Sequence, residues 1–364
     1  MGNDSGIVLD GLTDEQQALL DMFLEKEDFQ AEQTEEEHPV IEPRPEDRHK
    51  PFPLTDIQLA YVIGRSNNAL AMSNVSSHGY FEFSVDGLDP ARYEAAWRKE
   101  IARHDMLRMI ILPNGTQQVL EHVPPYRVPV NDFSAMDEAE SGKAIQGIRE
   151  RLQQKVKPLD EWPLFDIELT KLSGGRWIIH LSLEGLTGDV KSMQIMMGEV
   201  QAFYNDPGLE LKPLSLLFRD YVLSLENRRS MPSYKAAKDY WMKRIPDLPG
   251  GPVLPVLPDA EVVPLPEVKP LEQVLEPPLW NALQEKCSRH GLSPTSLLIA
   301  AFAEVVRRWN AEDDFCLNLT LFNRLPLHEE IDAIVGDFTD TLLLECRADD
   351  GRTFLDREIG RAHV

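Results

Sequence analysis

The stretch RWIIHLSLE, residues 176 to 184, puts Trp177, Ile179, Leu181 and Leu183 on one face and Ile178, His180, Ser182 and Glu184 on the other. That two-residue period is the signature of a β-strand. The strand stops at GLTGDVKS, and from Ser192 to about Tyr204 the apolar residues recur at helical spacing. A strand that turns directly into a helix commits the chain to a sheet with helices packed on it. It also sets Glu184, Asp189 and Ser192 together where the strand ends.

The rest of the chain repeats this alternation. Asp89-Pro90 opens a helix, DPARYEAAWRKEIARH, with Tyr93, Ala96, Trp97 and Ile101 on one face. Two strands follow in MLRMIILPNGTQQVLEHV, joined at Asn114-Gly115, a strong hairpin signal. Residues 140–156 read as helix, 163–184 as two strands around Ser173-Gly174-Gly175, and 213–226 as helix. Residues 245–270 are too rich in proline for a helix or a central strand and mark a boundary. Beyond it come PPLWNALQEKCSRHG, a helix TSLLIAAFAEVVRRWN capped by Ser293-Pro294, the strand DFCLNLTLFN and a loop GDFTDTLLLEC. The expected division is 1–50, 51–240, 241–270 as connection, and 271–357. The two halves share their order of elements without a residue-level repeat.

Charge narrows the classes of function. Of the net charge of -24, residues 1–50 contribute -11, from 15 acidic and 4 basic residues. No basic patch is visible for phosphate, so neither nucleic acid nor an anionic membrane is an expected partner. Within the acidic stretch, LTDEQQALLDMFLEKED carries a capping box, Thr13 with Gln16, ahead of Leu19, Leu20, Met22, Phe23 and Leu24. It reads either as a solvated tail with a short helix and linker or as a docking element for a preceding protein. No apolar run approaches the roughly 20 residues of a membrane span, and no targeting signal stands at the start. Cys287, Cys316 and Cys346 are too few and too scattered for a disulfide framework or a paired-cysteine zinc site, which suits a reducing cytoplasm.

Alone, EGLTGDVKS has two readings. Two acids five apart could serve as an acid/base pair, or they could cap the following helix and face water. There is no Gly-rich phosphate loop, no GxSxG elbow and no metal-spaced histidine set.

Six stretches in one order add to this: PFPLTDIQLAYVIGR (51–65), RHDMLR (103–108), PNGTQQVL, LPGGPVLPVLP, LTLFNR (319–324) and VGDFTDTLLLE (335–345). With them the chain, from about Pro53 to Asp356, resembles the heterocyclization domains of nonribosomal peptide synthetases, members of the condensation-domain superfamily. In that family DxxxxDxxS takes the place of the HHxxxDG motif of ordinary condensation domains. Here Glu184, Asp189 and Ser192 stand at its three positions, and Glu184 departs from the family's Asp by one methylene. His180 lies four residues too early to serve as the condensation histidine.

The resemblance implies an α/β (α+β) fold of two chloramphenicol-acetyltransferase-like lobes in a V, with a tunnel entered by the 4'-phosphopantetheine arms of upstream and downstream peptidyl carrier proteins. No cofactor is bound directly, and an adenylation domain belongs to the same synthetase. The implied activity is that of an acyltransferase and cyclodehydratase: an acyl thioester is joined to carrier-bound Cys, Ser or Thr, and loss of water gives a thiazoline or oxazoline. Tethering both substrates at contact distance supplies much of the acceleration. By the same resemblance Asp189 is structural, paired with an arginine for which Arg108 is the candidate. Glu184 and Ser192 are the candidates for lining the tunnel from one lobe, with Asn323, Asp337 and Thr339 from the other. Asn323-Arg324 as a turn and Thr339 as a loop cap are the competing readings. A non-catalytic platform that docks carrier proteins is the competing function.

The last seven residues, EIGRAHV, have no counterpart in the family. They back-translate as GAG ATC GGA AGA GCA CAC GTC, which beyond its first base is the start of a common sequencing adapter. Residues 358–364 are therefore expected to be an artefact and the second lobe to be incomplete. It would then lack a PVVFTS-like strand and a TPQVxLD-like segment, and the chain on its own is expected not to cyclise.

Overall fold

The computed structural model describes residues 41–66, 76–255 and 273–347. The helix expected after Thr13, most of the acidic linker, residues 256–272 and the terminal EIGRAHV lie outside them. The described chain forms two compact units. Residues 41–66, 76–234 and 322–340 make the first; residues 235–255, 273–321 and 341–347 make the second. This differs from the single break expected at 241–270. Residues 322–340, expected in the second lobe, group with the first unit because Arg324, Gly336 and Phe338 are tied into its interior.

In chain order the first unit runs β1 (Phe52–Pro53), α1 (Asp56–Ser66), β2 (His78–Asp86), α2 (Pro90–Arg103), β3 (Met109–Ile111), β4 (Thr116–Val119), β5 (Val130–Asp132), α3 (Glu138–Gln153), β6 (Phe165–Lys171), β7 (Arg176–Glu184), α4 (Val190–Asn205) and α5 (Phe218–Arg228). The helix α6 (Pro232–Arg244) spans the point of division. The caps act as their sequence suggests. The Asp89 carboxylate accepts from the N–H groups of Ala91 and Arg92, with Pro90 at the first helical position. At the hairpin Gly115 adopts φ +79°, and the Asn114 side chain accepts from the Thr116 N–H.

A four-stranded sheet in the order β2-β7-β6-β5 carries the site; its pairs are antiparallel except β5 with β6. The registers Leu183 with Phe165, Leu181 with Ile167 and Ile179 with Leu169 put these side chains on one face. That face is buried in one core with Trp97 and Ile101 of α2 and Met196 and Val200 of α4. Each of these large side chains is worth about 1.5–3 kcal/mol when fully buried.

The opposite face of β7, with Ile178, His180, Ser182 and Glu184, is buried as well. His180 is enclosed between the Tyr80 hydroxyl at 2.8 Å and the Thr170 hydroxyl at 2.9 Å. α3 lies over this face and is held largely by charge. Arg149 pairs with Glu82 through two hydrogen bonds of 2.9 and 2.7 Å, and Arg151 with Glu168 through two of 2.8 Å. A smaller sheet, β1-β4-β3, completes the unit.

The helix expected from Pro213 begins at Phe218. Residues 215 and 216 are kept extended by Glu330, whose carboxylate accepts from the N–H and hydroxyl of Ser215 at 2.8 and 2.7 Å and from the Leu216 N–H at 2.9 Å.

The second unit holds α7 (Pro277–Arg289), α8 (Pro294–Trp309), β8 (Phe315–Phe322) and most of β9 (Thr339–Cys346). The stretch GDFTDTLLLEC, expected as a loop, forms β9 from Thr339 onward, because it pairs with β8. The core here is small: Ala303, Phe315, Leu317, Leu344 and Cys346. The three cysteines are buried. Among the described residues no helix is long and apolar enough to cross a membrane.

Candidate functional site

The turn between β7 and α4 is built by its backbone. The Glu184 carbonyl accepts from the Thr187 N–H at 3.0 Å and the Thr187 hydroxyl at 2.7 Å, and the Gly185 N–H donates to the Ser77 carbonyl at 2.7 Å. A Cβ at position 185 would stand 3.0 Å from that carbonyl oxygen, a tight contact with the residue just before β2 that favours glycine. The chain then enters α4 with Asp189 as its N-cap. Its Oδ1 accepts from the Ser192 N–H and hydroxyl, each at 2.7 Å.

The cation beside Asp189 is Arg324, not Arg108. Arg324 Nη2 lies 2.9 Å from Asp189 Oδ1 and 2.9 Å from Ser192 Oγ. Its Nη1 donates to the carbonyls of Ile331 and Ile334 at 2.9 and 2.8 Å, and its guanidinium stands 4.0 Å from the centre of the Phe338 ring. Arg108 is occupied elsewhere: it donates to Asp105 Oδ1 at 2.7 Å and to the Leu120 carbonyl at 3.3 Å. Both arginines follow short motifs noted in the sequence. Only folding shows that residue 324, rather than residue 108, meets residue 189.

Ser192, expected to line a tunnel, is fully buried and saturated. Its Oγ accepts from the Gly336 N–H at 3.0 Å and from Arg324, and has the Asp189 carboxylate and the Gly336 carbonyl within 2.8 Å to receive its one proton. This hydroxyl joins segment 322–340 to the start of α4. Position 336 must be glycine, since a Cβ there would fall 2.1 Å from the Phe218 ring.

Glu184 is buried as well, at 3% exposure, and it is paired. Oε1 lies 3.3 Å from Arg65 Nη1, at the end of α1, and 2.6 Å from the Ser76 hydroxyl. Neither partner was singled out from the sequence, although Arg65 closes the motif AYVIGR.

Asp337 differs from both. At 1% exposure, its Oδ1 accepts from the Thr339 N–H at 3.1 Å, and its Oδ2 has no hydrogen-bond partner among the described residues. Burial pushes its carboxyl up to about 7, the Thr339 hydroxyl and N–H oppose the rise, and the Asp189 charge adds to it. The Tyr61 phenol is raised chiefly by burial and then by the Asp337 charge, against the pull of the Ser77 and Thr339 hydroxyls. Asn323 serves the backbone: its N–H donates to the Phe338 carbonyl at 3.0 Å, and its carbonyl accepts from the Tyr221 hydroxyl at 3.0 Å. Its side-chain amide sits 3.4 Å from Asp340 Oδ2.

Comparison with known proteins matches this geometry to a family. The condensation-domain family model matches residues 49–359. This chain belongs to the condensation-domain family. The condensation domain is 37% identical over 316 residues to pyochelin synthetase PchF of Pseudomonas aeruginosa, and 33% identical over 312 residues to phenyloxazoline synthase MbtB of Mycobacterium tuberculosis. These alignments take in 86% and 84% of this chain but only 17% and 21% of the two relatives, so the condensation domain spans about a fifth of their length. Among solved structures, the cyclization-docking bidomain of the synthetase EpoB from Sorangium cellulosum superposes with a TM-score of 0.82 at 32% identity, over 96% of this chain and 70% of that one. The fold is thus the mixed α/β fold of condensation domains. All five candidate residues, Glu184, Ser192, Asn323, Asp337 and Thr339, fall in the first unit of this condensation domain.

Proposed function

We propose that this condensation domain is of the heterocyclization type. It joins an acyl thioester on one carrier protein to Cys, Ser or Thr on another, releasing the first carrier's thiol, and then closes the side chain onto the new amide. Attack of the side-chain thiol or hydroxyl on the amide carbonyl gives a tetrahedral adduct. Protonation of its hydroxyl and loss of the N–H proton expel water and leave a thiazoline or oxazoline. Carrier proteins bearing phosphopantetheine arms, and an adenylation domain in the same synthetase, are the implied partners. The similarity to a phenyloxazoline synthase and to a cyclization bidomain supports this reading.

The observation that carries it is the unpaired carboxyl of Asp337. A group that titrates near 7 can give a proton to the departing hydroxyl and take one from nitrogen, whereas Glu184 and Asp189 are committed to guanidinium partners. Asp189, Ser192 and Arg324 then position Asp337 through Gly336, and Thr339 orients its carboxyl.

The test is Asp337→Asn in the synthetase subunit that carries this domain, with loaded carriers and mass analysis of the product. We expect the linear amide to accumulate and ring formation to fall by about 10²–10⁴-fold. Ring formation at the wild-type rate would refute the assignment. The pairing of Glu184 with Arg65 favours a second reading, a non-catalytic platform that holds carriers. On that reading carriers bind, neither wild type nor Glu184→Asp forms amide or ring, and Asp337→Asn changes nothing.

A further inference from the structure

Glu100 and His104 stand one turn apart on α2, and Glu199 of α4 completes a group whose donor atoms all lie within 4.8 Å of one another. His104 Nε2 is 2.9 Å from Glu199 Oε2 and 3.3 Å from Glu100 Oε1. Glu100 is 0% exposed, and neither of its carboxylate oxygens has a hydrogen-bond partner among the described residues. Arg103 Nε donates to Glu199 Oε2 at 2.7 Å, which answers one carboxylate and leaves the other. A fully buried carboxyl without a hydrogen-bond partner among the described residues, beside a half-buried carboxylate already answered by Arg103, lacks a counter-charge of its own.

We propose that Glu100, His104 and Glu199 bind a divalent ion of the zinc class, which pins α2 to α4. One imidazole with two carboxylates suits zinc better than magnesium or calcium, which prefer all-oxygen sets. Bonds of about 2.0–2.2 Å place tetrahedral zinc ligands about 3.3 Å apart, close to the separations around His104 Nε2. A Glu and a His at i and i+4 share one face of α2, and Glu199 of α4 faces them. Arg103 then acts as the outer partner that fixes a ligating carboxylate. The group was invisible in the sequence because its third member is 95 residues away.

The test uses the full chain, purified without chelator or metal affinity resin. Its zinc content is measured, the metal is stripped, and Zn²⁺ is titrated while thermal unfolding is followed; Co²⁺ absorption reports the ligand geometry. We expect about one zinc per chain and a melting midpoint that rises as zinc is added. In Glu100→Gln the apparent affinity should fall about 10–100-fold. Glu100→Leu, which fills the space without charge, should fold and show no zinc-dependent shift. Wild type with no zinc above background, no shift on titration, and a midpoint no higher than that of Glu100→Gln would overturn the proposal. Glu100 would then be a neutral acid sharing its proton with Glu199.

Discussion

Asp189 and Asp337 are both buried acids of the first unit, held to one another's segments by Ser192 and Gly336, yet they sit in opposite electrostatic settings. Asp189 has a guanidinium at 2.9 Å, a helix N-terminus and a serine hydroxyl. Asp337 has one backbone N–H, one threonine hydroxyl and a neighbouring negative charge. The first environment ties the residue down and makes it a brace; the second disfavours charge on Asp337 and leaves a proton to exchange. Position in a motif does not assign the chemical role. The cations around each acid do.

The contrast breaks most severely if Arg324 is removed. Arg324→Ala leaves the buried Asp189 carboxyl without its guanidinium, and should cost about 3–5 kcal/mol in urea unfolding, with residues 322–340 losing hydrogen-exchange protection first. Next is the pH response of Asp337. Below about pH 4 both folded and unfolded chains hold its proton, and the residue is neutral to stability. Between 3.8 and about 7 only the unfolded chain releases it, so stability falls as pH rises. Above 7 the folded chain carries the charge, and Asp337→Asn should be more stable than wild type by up to about 4 kcal/mol, a gain that vanishes at pH 4. Equal stability of the two proteins at pH 8 would mean that Asp337 has a cation after all. A smaller effect is expected at the paired acid of the strand end. Glu184→Gln weakens a charged contact with Arg65 and should cost about 1.5–3 kcal/mol, while Arg65→Gln in the same background should add little. Smallest is Ser192→Ala, at about 1–2 kcal/mol, with the Arg324–Asp189 pair intact.

Several elements could be read directly from local signals. The Asp89-Pro90 start of α2, the Asn114-Gly115 hairpin, the Ser293 cap of α8 and the alternation in β6 and β7 all depend on residues a few positions apart. The errors share a cause. Residues 213–217 were expected to be helical but stay out of the helix, with Ser215 and Leu216 held by Glu330, more than a hundred residues later. TDTLLLEC looks like part of a loop until β8 pairs with it. α1 and β2 are not legible in the sequence because the partners of their polar residues lie far along the chain: the buried Gln58 meets Gln117 and the Leu186 carbonyl, and Glu82 meets Arg149.

The candidate site divides in the same way. The turn residues Glu184, Asp189 and Ser192, and the second set Asn323, Asp337 and Thr339, could be named from motifs, because a strand end, a helix cap and a glycine turn are set by neighbours in sequence. Three things were decided only when the chain closed on itself: that Arg324 and not Arg108 braces Asp189, that Arg65 takes Glu184, and that Asp337 has no cation beside it among the described residues. A side chain's charge partner and its desolvation depend on what is packed around it in space, and sequence distance carries no record of that.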